Sequence, residues 1–254
     1  EQYKTKLTTV MASNSAPDVF FTWSSGYLKP FVEGGKVYEV GQLVDKDKEW
    51  KERFNEGSFG PVTYDGKVYA VPHGQTVAVM FYNTRLFEEN NLLVPTTFDE
   101  LVEACETFKS AGIIPISVPV KDAWIAGQLL QQLANGVSGM VLFYGTVDSS
   151  KKWNDEGYIE AGENLKMLAD IGAFPDGYLV MTNDEGGDLF AQEKAAMYYM
   201  GSWDIGLLSD ESVPVSKNID AFNIPPIDIS EENVALGDVA QCLAISANTQ
   251  DAEA

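Results

Sequence analysis

The stretch Asp184–Gly206, "DEGGDLFAQEKAAMYYMGSWDIG", decides the fold. It opens on acidic residues that suit the positive end of a helix, and the segment that follows reads as helical. It then becomes the compact apolar run Met197–Met200, which reads as a buried strand. That run breaks on Gly201 and Ser202 and at once presents Trp203 beside Asp204. Helix, buried strand and small-residue turn in succession are the grammar of an α/β chain. The placement leaves two readings of Trp203 open, a core side chain or a platform for a ligand.

The same alternation extends outward in both directions. "EQYKTKLTTVMASNSA" reads as a helix, "PDVFFTW" as a strand, and "SGYLKPFVEGG" as a short helix stopped by Gly34 and Gly35. Asp65-Gly66 is a hairpin turn between short strands, and Val77–Tyr82 is an apolar run of strand length. In "TTFDELVEACETFKSAG" Thr97 caps a helix, Glu100 stands three residues on as its capping-box partner, and Gly112 supplies the stop. "IIPISVPV" is the next strand and "VAQCLAIS" a final buried one. Between them lie a long helix around Leu129 and Leu133 and an amphipathic helix with Leu165, Leu168 and Ile171 inward. The pattern predicts an α/β fold with mostly parallel sheets flanked by helices.

Composition removes several classes of function. With 17 Lys+Arg against 38 Asp+Glu the net charge is −21, which repels phosphate backbones, so nucleic acid is not an expected partner. The charge-free stretch 125–147 has the length of a membrane span. Its glutamines, asparagine and glycines, with apolar residues recurring at helical spacing, instead predict one buried helix face in a soluble chain. Cys105 and Cys242 sit in apolar contexts and read as buried small hydrophobes, which leaves the redox compartment undecided.

Catalytic chemistry is poorly supplied. His73 is the one histidine, no Gly-rich dinucleotide or phosphate loop is present, and "TNDEGGDLF" lacks the ligand register of a calcium loop. No cofactor, metal or catalytic residue is expected, and nothing singles out two carboxylates for glycoside hydrolysis. What remains is aromatic residues on turns. Trp23, Trp124 and Trp203 each follow a strand and precede a helix, the place where open α/β sheets bind ligands. An indole face offers a sugar a flat apolar platform, and neighbouring polar groups can meet its hydroxyls.

The segments "APDVFFTW", "DGKVYAVP", "YNTRLFEE", "KAAMYYMGSW" and "LGDVAQCLAIS" together resemble the extracellular solute-binding proteins of sugar ABC importers, the maltose-binding-protein-like group. The resemblance spans essentially the whole chain. It implies a two-lobe periplasmic-binding-protein-like fold with a ligand cleft between lobes, the first crossing at Gly74–Met80 and the return near Val239–Leu243. The lobes it implies are 1–76, an incomplete first lobe, then 77–241, with 242–254 returning to the first. Both ends look trimmed against the family pattern.

The same resemblance implies the site. Trp23, Ser24, Ser25 and Tyr27 match the first-lobe binding turn, and His73 and Gln75 the segment before the crossing. Trp124 and Trp203 match second-lobe platforms, with Asp204 beside the latter and Gly237-Asp238 before the return strand. Ser24-Ser25 departs from the acidic or amide residue many relatives carry. The implied function is capture of a mono- or oligosaccharide by a monomer, without catalysis, and its delivery to a membrane ABC permease. The location would be extracytoplasmic, on a cell-surface lipoprotein or in a periplasm. The rival readings are a polyamine or peptide solute on the same scaffold, a carbohydrate-active enzyme, and a sensor that docks a receptor.

Overall fold

Helix α1 (Gln2–Ala12) buries Leu7 and Met11 and leads to strand β1 (Val19–Trp23), whose side chains alternate in burial. Helix α2 (Ser25–Glu33) ends at Gly34, and Gly35 takes the left-handed conformation that stops it. Two short helices follow, α3 (Gly41–Lys46) and α4 (Lys48–Lys51). Strands β2 (Thr63–Tyr64) and β3 (Lys67–Val68) then form a hairpin. Asp65 and Gly66 both have positive φ, 49° and 75°, the paired geometry that matches a turn to strand twist. The long strand β4 (Val71–Asn83) comes next, then α5 (Thr84–Glu89) and α6 (Phe98–Ser110).

Strand β5 (Ile114–Ser117) precedes the long helix α7 (Ala123–Val147), which kinks at Gly139 (φ 64°). Helices α8 (Glu156–Asp170) and α9 (Asn183–Ala191) lead into β6 (Ala195–Gly201), every residue of which is buried. A 3-10 turn at Ser202–Asp204, α10 (Ile205–Leu208), β7 (Ile219–Phe222) and β8 (Gly237–Ile245) complete the order. The computed structural model describes residues 2–13, 15–55, 57–250 and 252, with the side chains of 238 and 240 outside that description.

The chain divides into two compact units, Glu1–Thr76 with Gly237–Ala254, and Val77–Leu236. It leaves the first within β4 and returns at the start of β8. The first unit packs Leu7, Met11, Phe20 and Leu28 with Cys242 and Ala244 of the antiparallel β1–β8 pair. The second packs α6, α7 and α9 around the β4–β6–β5 ladder, with Phe108, Phe190, Tyr198 and Tyr199 among its largest buried side chains. Both cysteines are buried, one in each core, and burial pushes the Cys105 thiol up to about 12.

The α/β class holds, but the expectation of mostly parallel sheets needs correction. Among the described ladders β5–β6 is parallel, whereas β1–β8, β2–β3, β4–β6 and β4–β7 are antiparallel. Strands β5, β6 and β7 share one direction because the helical segments between them carry the chain back each time. Strand β4, which brings the chain in, opposes them. Alternating elements specify the class but not the direction of an entering strand. The last strand is also not buried throughout, since Leu243 is 40% exposed between buried Cys242 and Ala244, as a strand covered on one face requires.

Helix α6 carries the expected capping box: the Glu100 N–H donates to Thr97 Oγ1 at 3.2 Å, and the Thr97 N–H to the Glu100 carboxylate at 3.2 Å. A second box, Thr182 with Glu185, starts α9. Helix α7 buries Gln131, Gln132 and Asn135, and among the described residues no helix is long and apolar enough to cross a membrane. The Tyr199 hydroxyl is buried with no hydrogen-bond partner among the described residues. Leaving it unpaired costs more than an apolar ring edge would, so Tyr199→Phe is expected to raise stability by about 1 kcal/mol. A lowered denaturation midpoint for that variant would contradict this.

Candidate functional site

The first unit assembles aromatic rings where β1 gives way to α2. Trp23, the last residue of the strand, meets Tyr27 of the helix edge-on with centroids 5.2 Å apart, and meets Phe21 at 5.4 Å. Phe21 in turn touches the exposed His73 ring at 6.2 Å. Tyr3 of α1 leans on Phe21 and Trp23, and its hydroxyl donates to the Phe21 carbonyl at 2.6 Å. The Lys4 ammonium lies 4.6 Å from the Trp23 ring centroid, a cation–π contact, and 5.8 Å from that of Tyr27.

Between strand and helix, Ser24 is buried and Ser25 adopts a positive φ of 54°, with their hydroxyls 3.4 Å apart. A non-glycine residue held there is strained, and the Tyr64 hydroxyl donates to the Ser25 carbonyl at 2.7 Å, helping to fix it. His73, Gln75 and Val77 occupy alternate, exposed positions along β4 and so share one face. Gln75 accepts a 2.8 Å hydrogen bond from Asn55.

The second unit brings Trp124, in the first turn of α7, against Trp203, in the turn after β6. The ring centroids are 5.7 Å apart at 55°, and Trp203 is 40% exposed. Gly201 explains how Trp203 comes to lie there: a Cβ at that position would fall within the indole ring, so the bare backbone is the surface on which the ring rests. Just behind, the Ser202 hydroxyl accepts from the Val77 N–H at 3.2 Å.

Asp204 does not stand open beside Trp203. It accepts a 2.8 Å hydrogen bond from the hydroxyl of Tyr198, a buried ring stacked between Phe190 and Phe81. Burial raises the Asp204 pKa above the usual carboxylate range; the Tyr198 hydrogen bond works against this, while the Asp184 charge adds to it. The folded pKa therefore lies above the unfolded one. The contribution of Asp204 to stability is fully present below the unfolded pKa and is lost as pH rises through the folded pKa. Tyr198→Phe removes the opposing hydrogen bond, so Asp204 should titrate higher still in carboxyl-resolved NMR. An unmoved titration would refute the assigned cause.

The sequence-derived residues thus fall into two groups: Trp23, Ser24, Ser25, Tyr27, His73 and Gln75 in one unit, and Trp124, Trp203 and Asp204 in the other. Gly237 is exposed at the start of β8, and the side chain of Asp238 lies outside the described residues. Sequence reasoning missed Tyr3, Lys4 and Phe21, and also Asn55, Tyr198 and Ser202. Phe21 and Tyr198 could have been found from the strands they share with Trp23 and Gly201. No sequence signal marks Lys4 or Asn55.

Two α/β units, each with aromatic side chains where a strand passes to a helix, make the fold that of the two-lobe periplasmic binding proteins. The chain belongs to the bacterial extracellular solute-binding protein family, whose family model matches residues 1–254. A multiple sugar-binding protein of Streptococcus mutans is 27% identical over 245 residues, covering 88% of this chain and 58% of that protein. An uncharacterized ABC transporter extracellular-binding protein of Pyrococcus horikoshii is 26% identical over 215 residues, 83% of this chain and 49% of that one. A structure from work on xylan utilization by the thermophilic bacterium Caldanaerobius polysaccharolyticus is 35% identical with a TM-score of 0.92, covering 98% of this chain and 64% of that one. The chain therefore spans between about half and two thirds of the length of these proteins.

Proposed function

We propose that this protein binds a neutral mono- or oligosaccharide outside the cytoplasm, as a monomer and without catalysis, and passes it to an ABC permease. The observation that carries the reading is the Trp124–Trp203 pair, two partly exposed indoles 5.7 Å apart on a surface seated on Gly201. Two rings at an angle offer successive faces to the C–H groups of a sugar chain. The family and the sugar-binding relative support the same substrate class. Trp23 and Tyr27 provide a second aromatic surface in the other unit, and the two units are proposed as the two lobes. Gln75, His73 and the Ser24-Ser25 turn would supply hydroxyl contacts there.

The contact of Lys4 with Trp23 weighs against the polyamine reading. An ammonium already held over that ring repels a second cation at the same face. Binding of a neutral sugar should accordingly persist at high salt, where that of a polyamine would collapse.

The test is titration of the full-length protein with neutral oligosaccharides, xylohexaose first, followed by tryptophan emission and thermal shift. Trp203→Ala should weaken binding at least about tenfold, because the sugar loses an apolar face, while the midpoint in the absence of sugar moves by only a few degrees. An unstable variant would instead make Trp203 a core residue. No turnover of a chromogenic glycoside is expected, and observed turnover would return the enzyme reading.

A further inference from the structure

The two elements that present the tryptophan pair also hold the chain at the points where it enters and leaves the second unit. Entry is at Val77, whose N–H donates to Ser202 Oγ at 3.2 Å, and Ser202 immediately precedes Trp203. Exit is after Leu236, and here Gln132 of α7 uses both ends of its side-chain amide. It donates from Nε2 to the Val234 carbonyl at 2.8 Å and accepts from the Leu236 N–H at 3.0 Å. The Leu236 carbonyl then accepts from the Ala78 N–H at 2.8 Å, so entering and leaving segments are also bonded to each other. Gln132 is buried, on the helix whose first turn carries Trp124, about 12 Å along the axis from it.

A buried amide with both its oxygen and its nitrogen bonded to one extended segment is a stiff attachment, because releasing that segment leaves donor and acceptor unpaired. Ser202 is a lighter attachment, one bond from a side chain in the same turn as Trp203. We propose that Ser202 and Gln132 are positioning residues that couple the Trp124–Trp203 surface to both chain crossings, so that a sugar stacked on the indoles alters the backbone at Val77 and Leu236. The coupling rests on the sugar-binding reading for its ligand but not for its geometry. Contact with the pair restrains the Ser202–Asp204 turn and the start of α7, and the only carriers it needs from there are the hydrogen bonds given above.

Backbone amide hydrogen exchange on the full-length protein, with and without xylohexaose, tests it. In the wild type xylohexaose should slow exchange at Val77 and Leu236 by about tenfold, the worth of stiffening one hydrogen bond. Ser202→Ala should abolish the response at Val77 and Ser202→Thr, which keeps a hydroxyl, should restore it. Gln132→Ala should abolish the response at Leu236. If that variant does not fold, Gln132→Glu retains the acceptor for the Leu236 N–H and should retain the response, and its loss would count against the coupling. Xylohexaose that changes tryptophan emission yet leaves both amides unaltered overturns the proposal. If neither xylohexaose nor the other neutral oligosaccharides alter emission, the sugar reading fails separately, and Trp203→Ala in the free protein decides the coupling: faster exchange at Val77 upholds it, and unchanged exchange refutes it.

Discussion

Gly201→Ala is expected to abolish most of the proposed sugar binding while leaving the fold in place. Gly201 has φ −79° and ψ 154°, an extended conformation that alanine adopts without strain, so the backbone itself should tolerate the change. The added methyl, however, would occupy the space of the Trp203 indole, and the ring must swing away. That single displacement breaks the contact with Trp124 and tilts the face proposed for the ligand. Losing on the order of 2 to 3 kcal/mol of apolar contact corresponds to about a hundredfold in affinity. Isothermal titration with xylohexaose, beside a melting curve, measures both halves of the expectation. Wild-type affinity in this variant would mean that the ligand does not use Trp203.

Phe190→Ala should give the largest loss of stability considered for the second unit. Phe190 is fully buried at the end of α9 and stacks on Tyr198 with centroids 5.8 Å apart and planes inclined by 25°. Truncating a buried phenylalanine removes transfer energy and leaves a cavity, together about 3 to 5 kcal/mol. Tyr198 would lose one of its two stacking partners, and with it the firm placement of the hydroxyl that Asp204 accepts from. Chemical denaturation should show the loss directly. A midpoint unchanged from wild type would mean that the cavity collapses without cost, against the tight packing described.

Much of this architecture was legible because it is local. Thr97 with Glu100, Asp65-Gly66 and the glycine stops are short-range devices whose partners lie within a few residues. The buried run of β6 and its small-residue exit were legible for the same reason. The sense of β4 was not, because strand direction depends on which neighbours the strand finds in space, and hydrophobic pattern carries no such information.

The candidate site divides in the same way. The tryptophans were found by their position after strands, but the meeting of Trp124 with Trp203, the Tyr198 partner of Asp204 and the bonds from Ser202 and Gln132 are tertiary. Asp204 shows the difference most clearly. Its neighbour in sequence suggested a group for ligand hydroxyls, whereas its hydrogen bond runs inward to a tyrosine from the preceding strand.

The Lys4 ammonium over Trp23 has one more consequence. That indole face is already occupied by a side chain of the same molecule, so a solute using Trp23 as proposed would reach it only by exchange, and the affinity gained would be a difference between two contacts. In the proposed site an intramolecular competitor of this kind would set a threshold that weak or poorly shaped solutes fail to pass. Lys4→Met would lower that threshold without altering the ring, making the proposed surface more permissive.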